Sequence, residues 1–222
     1  NPLTPIQLSV ERLLRYLSRG GNPSDPPELA KLVGECTTLI AREVGTLKTL
    51  VSEFSQFARF QVARLAPADS NSIVQRALDV FQGRLDDVTI HADLAAGLPP
   101  IKADDELLRQ VIVNLIDNAA EAMEGSASRH LQIATRFRAD HDTVEIMVAD
   151  SGHGISPEDK EKLFLPYFST KDRGTGLGLA IAGRIIAEHH GLMRAEDNVP
   201  MGTRFIIELP ALEAAAALAQ EA

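Results

Sequence analysis

The chain has no tryptophan, one cysteine and two tyrosines, and aromatics make up only 5% of it. A core with so few rings must be filled by aliphatic side chains, which suits helix pairs and helices laid on a sheet. Cys36 stands alone, so a disulfide framework and a cysteine-based metal site are both excluded. No apolar run is long enough to span a bilayer, and no signal-peptide pattern is present. Position 1 is Asn rather than Met, so the sequence reads as a fragment, with any membrane anchor expected in a missing N-terminal region. Basic residues are also short. The 22 Lys and Arg against 31 Asp and Glu leave a formal net charge of −9, which argues against nucleic acid as a partner. What is present is 222 residues, 45% hydrophobic and 24% charged, enough for one large domain or a medium domain with an appendage.

Near the start, Ile6, Val10, Leu13 and Leu17 recur at steps of four, three and four, the rhythm of an amphipathic helix with a coiled-coil seam. Gly20-Gly21-Asn22-Pro23 breaks it, and Asp25-Pro26-Pro27-Glu28 has the form of a new helix start: a capping acid, then proline in the first turn. From Leu29 through Leu32, Cys36, Leu39, Val44, Leu47, Val51, Phe54 and Phe57 a helical pattern then runs unbroken. Two antiparallel helices with one apolar seam each cannot bury both seams alone. The expected solution is dimerisation into a four-helix bundle, the alternative being a hairpin folded onto its own C-terminal domain. Residues 1–62 are assigned to this hairpin.

After Pro67 the pattern becomes mixed, so a boundary is expected between Phe60 and Asp69. Asp69 or Asn71 can cap a helix through Leu85, and Val88 to Leu94 alternates like a strand. A short strand reaches Ala103, Asp104 caps the next helix, and strands are expected at 131–137, 144–149, 192–195 and 204–209. Between the last two pairs lies a helix from Leu179 to His190, ended by Gly191. The reading is an α+β two-layer sandwich over residues 68–210 with its helices on one face, followed by an Ala-rich tail at 211–222.

The helix from Leu107 to Met123 carries an apolar face of Leu108, Val111, Ile112, Leu115, Ile116 and Ala119, and beside it Asn114 and Asn118, four apart. Asparagine is a mediocre helix former, so two in register form a polar stripe that is either a solvated face or a site. Asp150-Ser151-Gly152-His153-Gly154 follows a strand that ends in the core; its carboxylate could sit at a pocket floor and accept an exocyclic amine, although an ordinary turn has the same letters. Phe164 and Phe168 come next and could pin one end of a loop or simply pack. Gly174-Thr175-Gly176-Leu177-Gly178-Leu179 then opens a helix, whose free N–H groups suit phosphate. The spacing is neither the dinucleotide fingerprint nor a P-loop. The connection between the two glycine sets is long enough for a lid.

Taken in order, these four motifs resemble the N, G1, F and G2 boxes of the histidine kinase catalytic domain, within the wider GHKL superfamily that includes gyrase, Hsp90 and MutL. Gly202-Thr203 resembles a further glycine box. The resemblance implies the Bergerat ATP-binding fold, with ATP and Mg²⁺ as cofactors. It implies that Asn118 ligates Mg²⁺, that Asn114 contributes on the phosphate side, and that Asp150 takes the adenine amine. Lys171 and the N–H groups from Gly174 to Leu179, through Thr175, Gly176, Leu177 and Gly178, would face the phosphates. One departure matters: hydrolases of the superfamily carry Glu four residues before the Mg²⁺-binding Asn, as general base, and here that position is Asn114, which cannot accept a proton at neutral pH.

NPLTPIQLSVERL resembles the segment that follows the phospho-acceptor histidine of such kinases, and with VSEFSQFARF it is most similar to nitrogen-regulation sensor kinases of the NtrY type. On that alignment the acceptor lies upstream of Asn1, in keeping with the absence of any histidine before His91, and this fragment is not expected to label itself. Asn1 would have a phosphatase-type role, orienting water against the phosphorylated partner. The implied partners are a second copy, through the hairpin, and a response-regulator receiver domain. The implied setting is the cytoplasmic portion of a bacterial inner-membrane sensor. His189 and His190 are read as capping or surface residues. The competing reading is an ATPase or ATP-gated clamp of the same superfamily.

Overall fold

The computed structural model describes residues 3–18, 26–58, 63–169 and 175–212, and divides into two compact units, residues 1–59 and 60–222. In the first unit α1 (Leu3–Ser18) and α2 (Pro26–Ala58) form a hairpin. Arg12 pairs with Glu35 at 3.4 Å, and a cavity of about 570 Å³ lined by Thr4, Pro5, Leu8, Ser9, Arg12 and Leu39 opens along the seam. Leu32, Cys36, Ser9 and Glu43 are buried, whereas Leu3, Leu8, Val10, Leu14, Leu17, Val33, Val44 and Val51 are exposed. The apolar pattern read from sequence is thus only partly used within one chain: Val10, Leu17, Val44 and Val51 all face solvent here.

The second unit is a five-stranded sheet in the order β2-β4-β5-β7-β6, with helices packed on one face. Its strands are β2 (Thr89–Leu94), β4 (His130–Arg138), β5 (Thr143–Asp150), β6 (Leu192–Asp197) and β7 (Thr203–Pro210). β2 lies parallel to β4 and every other pairing in this sheet is antiparallel. Two further strands, β1 (Ala66–Ala68) and β3 (Ile101–Ala103), leave the main sheet and pair with each other. The short strand expected at Ala103 belongs to this separate ladder, and its partner Ala66-Pro67-Ala68 has no alternation to announce it.

Strand alternation separates the faces. Val144, Ile146 and Val148 of β5, Leu131 and Ile133 of β4, and Phe205, Ile207 and Leu209 of β7 point into the core. The opposite face carries ion pairs between neighbouring strands, among them Arg136–Glu145 at 2.6 Å and Arg194–Glu208 at 2.5 Å. Three helices cover the apolar face: α3 (Ser70–Asp79), α4 (Asp105–Ala122) and α6 (Gly178–Glu188). α3 and α4 start where their capping carboxylates sit: Asp69 accepts from Asn71 N–H, and Asp104 from Leu107 N–H. Hydrogen bonds from the Arg64, Leu107 and Glu106 backbones hold the Asp104 carboxyl below its ordinary pKa even though burial pushes the other way.

Leu108, Val111, Ile112, Leu115, Ile116 and Ala119 are all at most 3% exposed, making α4 the central element of the core. Fully burying one such Leu or Ile side chain contributes about 1.5–3 kcal/mol. α6 runs antiparallel to α4, meeting it at two points: Gly178 lies against Asn114, and His189 lies against Asp104. His189, expected as a capping or surface residue, is the C-cap of α6 and is buried: its Nε2 accepts the Asp104 N–H at 2.9 Å while its Nδ1 faces the Ile185 carbonyl at 2.7 Å. His190 takes the left-handed position that ends α6 (φ 57°), with His190 N–H donating to Ala187 and Gly191 N–H to Ile186. Gly191 is small for another reason: a Cβ there would come within 2.6 Å of the Glu208 carbonyl.

Candidate functional site

The last residue of β5 is Asp150, 2% exposed, and the chain is built to hold it. Its Oδ1 accepts the N–H groups of Gly152 at 2.8 Å and Thr203 at 3.2 Å. Its own carbonyl accepts from Asn198 Nδ2 at 2.8 Å. Among the described residues nothing donates to Oδ2, which leaves one carboxylate oxygen for an outside donor. Burial raises the Asp150 pKa, and the two backbone bonds only partly oppose it.

Three glycines close around this carboxylate. Gly152 is buried against α4, where a Cβ would fall 2.4 Å from the Ala122 carbonyl, and Gly154 turns the chain with φ 75°. Gly202 is the most constrained: its φ is 115°, and a Cβ would fall 2.0 Å from the Asp150 carbonyl oxygen. Only glycine can take that backbone at that distance. Thr203 is buried beside it.

The other end is built from α4 and α6. Asn114 and Asn118 are half-buried, with Asn118 Nδ2 donating to Asn114 Oδ1 at a long 3.4 Å. Among the described residues the buried Nδ2 of Asn114 has no partner. A Cβ at Gly178 would come within 2.7 Å of Asn114 Oδ1, so this glycine is what lets the amide stripe meet the start of α6. α3, α4 and the short α5 (Pro157–Lys160) each have a side-chain cap, but α6 has none and no acid in its first turn. Among the described residues no side chain caps its first N–H groups, an arrangement that suits an anion. A buried donor that nothing satisfies, beside an uncapped helix start, fits a polyanionic ligand.

Between the two glycine sets, the stretch expected as loop contains α5, tied to the sheet by Lys160–Asp197 at 2.6 Å. Leu163 is buried; Phe164 packs over Gly183 of α6, and Phe168 is half-buried on the core. Tyr167 N–H donates to the Gly176 carbonyl at 2.9 Å with Tyr167 at φ 65°. Leu177 is 1% exposed, Leu179 packs on the core, and Thr175 Oγ1 accepts the Leu177 N–H at 3.3 Å. Asn1, Lys171 and Gly174 lie outside the described residues. The structure thus gathers Asp150, Gly152, Gly154 and Thr203 at one end and Asn114, Gly178 and Asn118 at the other. Sequence reasoning missed Asn198, Lys160 and the buried His189.

Residues 103–213 match the family described as histidine kinase-, DNA gyrase B- and HSP90-like ATPase, which is half of the chain. The chain belongs to this family. Over 202 residues it is 33% identical to nitrogen regulation protein NtrY of Azorhizobium caulinodans, a match covering 89% of this chain and 25% of that protein. The chain therefore spans about a quarter of that relative. Among solved structures, full-length ShkA in complex with AMPPNP aligns with a TM-score of 0.67 at 27% identity, over 81% of this chain and 39% of that one. Histidine kinase ThkA in complex with response regulator protein TrrA aligns with a TM-score of 0.70 at 25% identity, over 93% of this chain and 58% of that one.

Proposed function

We propose that this chain is the catalytic core of a two-component sensor histidine kinase, which binds ATP with Mg²⁺ and passes the γ-phosphoryl group to a histidine on a dimerisation helix. The observation that carries this reading is an oriented, buried carboxylate whose Gly152 turn packs on the end of α4, together with a pair of amides, Asn114 and Asn118, farther back along the same helix. Oδ2 of Asp150 would accept the adenine amine. N–H groups at the start of α6 and the orphan amide of Asn114 would take phosphate oxygens. Asn118 would offer its amide oxygen to Mg²⁺, which supplies charge neutralisation on the phosphates. Lys171 and Gly174 are assigned to the same phosphate side on the motif alone. Asn114 cannot act as a base toward water, and this favours positioned transfer to a nucleophile that carries its own reactivity.

Residues 1–62 are assigned to the phosphotransfer hairpin and 68–210 to ATP binding. The exposed Leu8, Val10, Leu14 and Leu17 suit pairing with a second copy into a four-helix bundle. A receiver domain, like the regulator bound to ThkA, is the proposed acceptor of the phosphoryl group, with Asn1 assisting its removal. The likeness to NtrY supports a role in nitrogen regulation, within the cytoplasmic part of a membrane sensor. No described helix is long and apolar enough to cross a membrane.

The test is the destination of γ-labelled phosphate from ATP and Mg²⁺ in the protein that carries this chain. The expected product is acid-labile, alkali-stable label on a histidine, chased to an aspartate of a receiver domain. Label on serine or threonine, or none on histidine, would overturn the reading.

A further inference from the structure

Asp150, still paired with Leu131 of β4, lies where β5 parts from β7. β5 pairs with β7 only as far as Ala149–Arg204, so the Asp150 carbonyl, which points toward the β6–β7 turn, has no strand partner. An unpaired carbonyl on a residue 2% exposed would be costly. The side chain of Asn198 supplies the missing donor, at 2.8 Å. Asn198 is itself fixed, because its N–H donates to the Gly202 carbonyl at 3.0 Å and so closes the turn. The same turn delivers Thr203, whose N–H holds Asp150 Oδ1. Two hydrogen bonds thus run from one hairpin to opposite ends of one aspartate, its main chain and its carboxylate.

We propose that Asn198 is a positioning residue for base recognition: it substitutes for the absent strand at the end of β5 and so fixes where Oδ2 of Asp150 meets the 6-amino group of a purine. This rests on the reading of Asp150 as the amine acceptor. An exocyclic amine donates to a carboxylate, and a ring without it leaves Oδ2 unsatisfied, so the preference for the amine reports how well Oδ2 is placed. Asn198 touches no nucleotide in this scheme. Its effect is confined to the part of the affinity that comes from the amine.

The experiment measures the dissociation constants of ATP and of purine riboside triphosphate, which lacks the 6-amino group, by calorimetry with Mg²⁺ well below the measured melting temperature. Asn198→Ala should weaken ATP about three- to tenfold, the scale of one lost hydrogen bond. The analogue should bind nearly as before, so that the ratio between the two collapses by the same factor. Asn198→Ser replaces the amide by a shorter hydroxyl at this half-exposed turn and supplies the same comparison if the alanine variant does not fold. Equal weakening of both nucleotides, or of neither, would overturn the proposal, since a merely structural residue has no means of sensing the amine. Asp150→Asn separates the underlying reading: it should abolish the preference for the amine. If it leaves that preference intact, the assignment of Asp150 has failed, whatever Asn198 does.

Discussion

On the β5 side Asp150 is held by the Gly152, Thr203 and Asn198 donors, whereas on the α4–α6 side, among the described residues, Asn114 presents a buried amide with no partner and α6 starts without a side-chain cap. Both regions are lined by glycine close approaches, yet they are finished to different degrees. At the β5 end the protein satisfies its own polar groups and leaves one oxygen over. At the α4–α6 end it leaves donors over. A base is a small neutral ring recognised by one well-aimed bond, so its site gains from being rigid before the ligand arrives. A triphosphate brings its own charge and acceptors, so its site can stay short of acceptors until it binds.

The comparison can be broken most severely at Asp150. Asp150→Asn keeps the shape but loses the anionic acceptor, and ATP should bind about 10- to 100-fold more weakly by calorimetry, the scale of a hydrogen bond to a charged group. Unchanged affinity would mean the β5 end is not the base site. Gly202→Ala tests the rigidity of the same end: a Cβ 2.0 Å from the Asp150 carbonyl, at φ 115°, should cost about 2–4 kcal/mol and lower the melting temperature by several degrees. An unaltered melting curve would show that the turn is slack.

At the other end the expectation reverses. Asn114→Ala removes an amide whose Nδ2 is already without a partner, so thermal stability should be unchanged or slightly higher, while ATP affinity falls roughly tenfold. A large loss of stability with no loss of affinity would place Asn114 with the scaffold instead. Asn118→Ala removes the amide oxygen proposed for Mg²⁺ and should weaken Mg²⁺-dependent binding about three- to tenfold, with little effect on nucleotide measured without the metal.

The smallest effect is the dependence on pH. Burial raises the Asp150 pKa above the ordinary 3.8, so its ionised form is disfavoured in the folded state. Ionisation therefore removes stability as pH rises from 3.8 through the raised value, and Asp150→Asn, which does not ionise, should gain on the wild type across that window. Nucleotide affinity runs the other way, because only the carboxylate accepts the amine: it should fall on acidification at a higher pH than an unperturbed aspartate would give. Parallel pH curves for the wild type and the asparagine variant would contradict this.

How much of this was legible in the sequence depended on distance along the chain. The apolar face of α4 and the Asp104 cap are written at three- and four-residue spacings, and the structure places them as that spacing requires. The four motifs were legible because each is local and their order is specific. The Asn198 bond spans 48 residues and the His189 bond 85, and neither residue belongs to a periodic pattern. His189 follows Glu188 and precedes another histidine, so its place at the helix end was legible, but only the fold shows the Asp104 N–H donating to its ring. The β1–β3 ladder was hidden in Ala66-Pro67-Ala68, where alternation has too few residues to appear.

On the proposed reading, the α4–α6 site holds ATP for transfer to a partner helix and does not itself activate water. Steady-state release of inorganic phosphate from saturating ATP and Mg²⁺ tests it most directly. The expected result is ATP binding with no sustained release, because position 114 offers an amide where a general base would need a carboxylate. Release over many turnovers by this chain alone would contradict it and return the site to the hydrolases of its family.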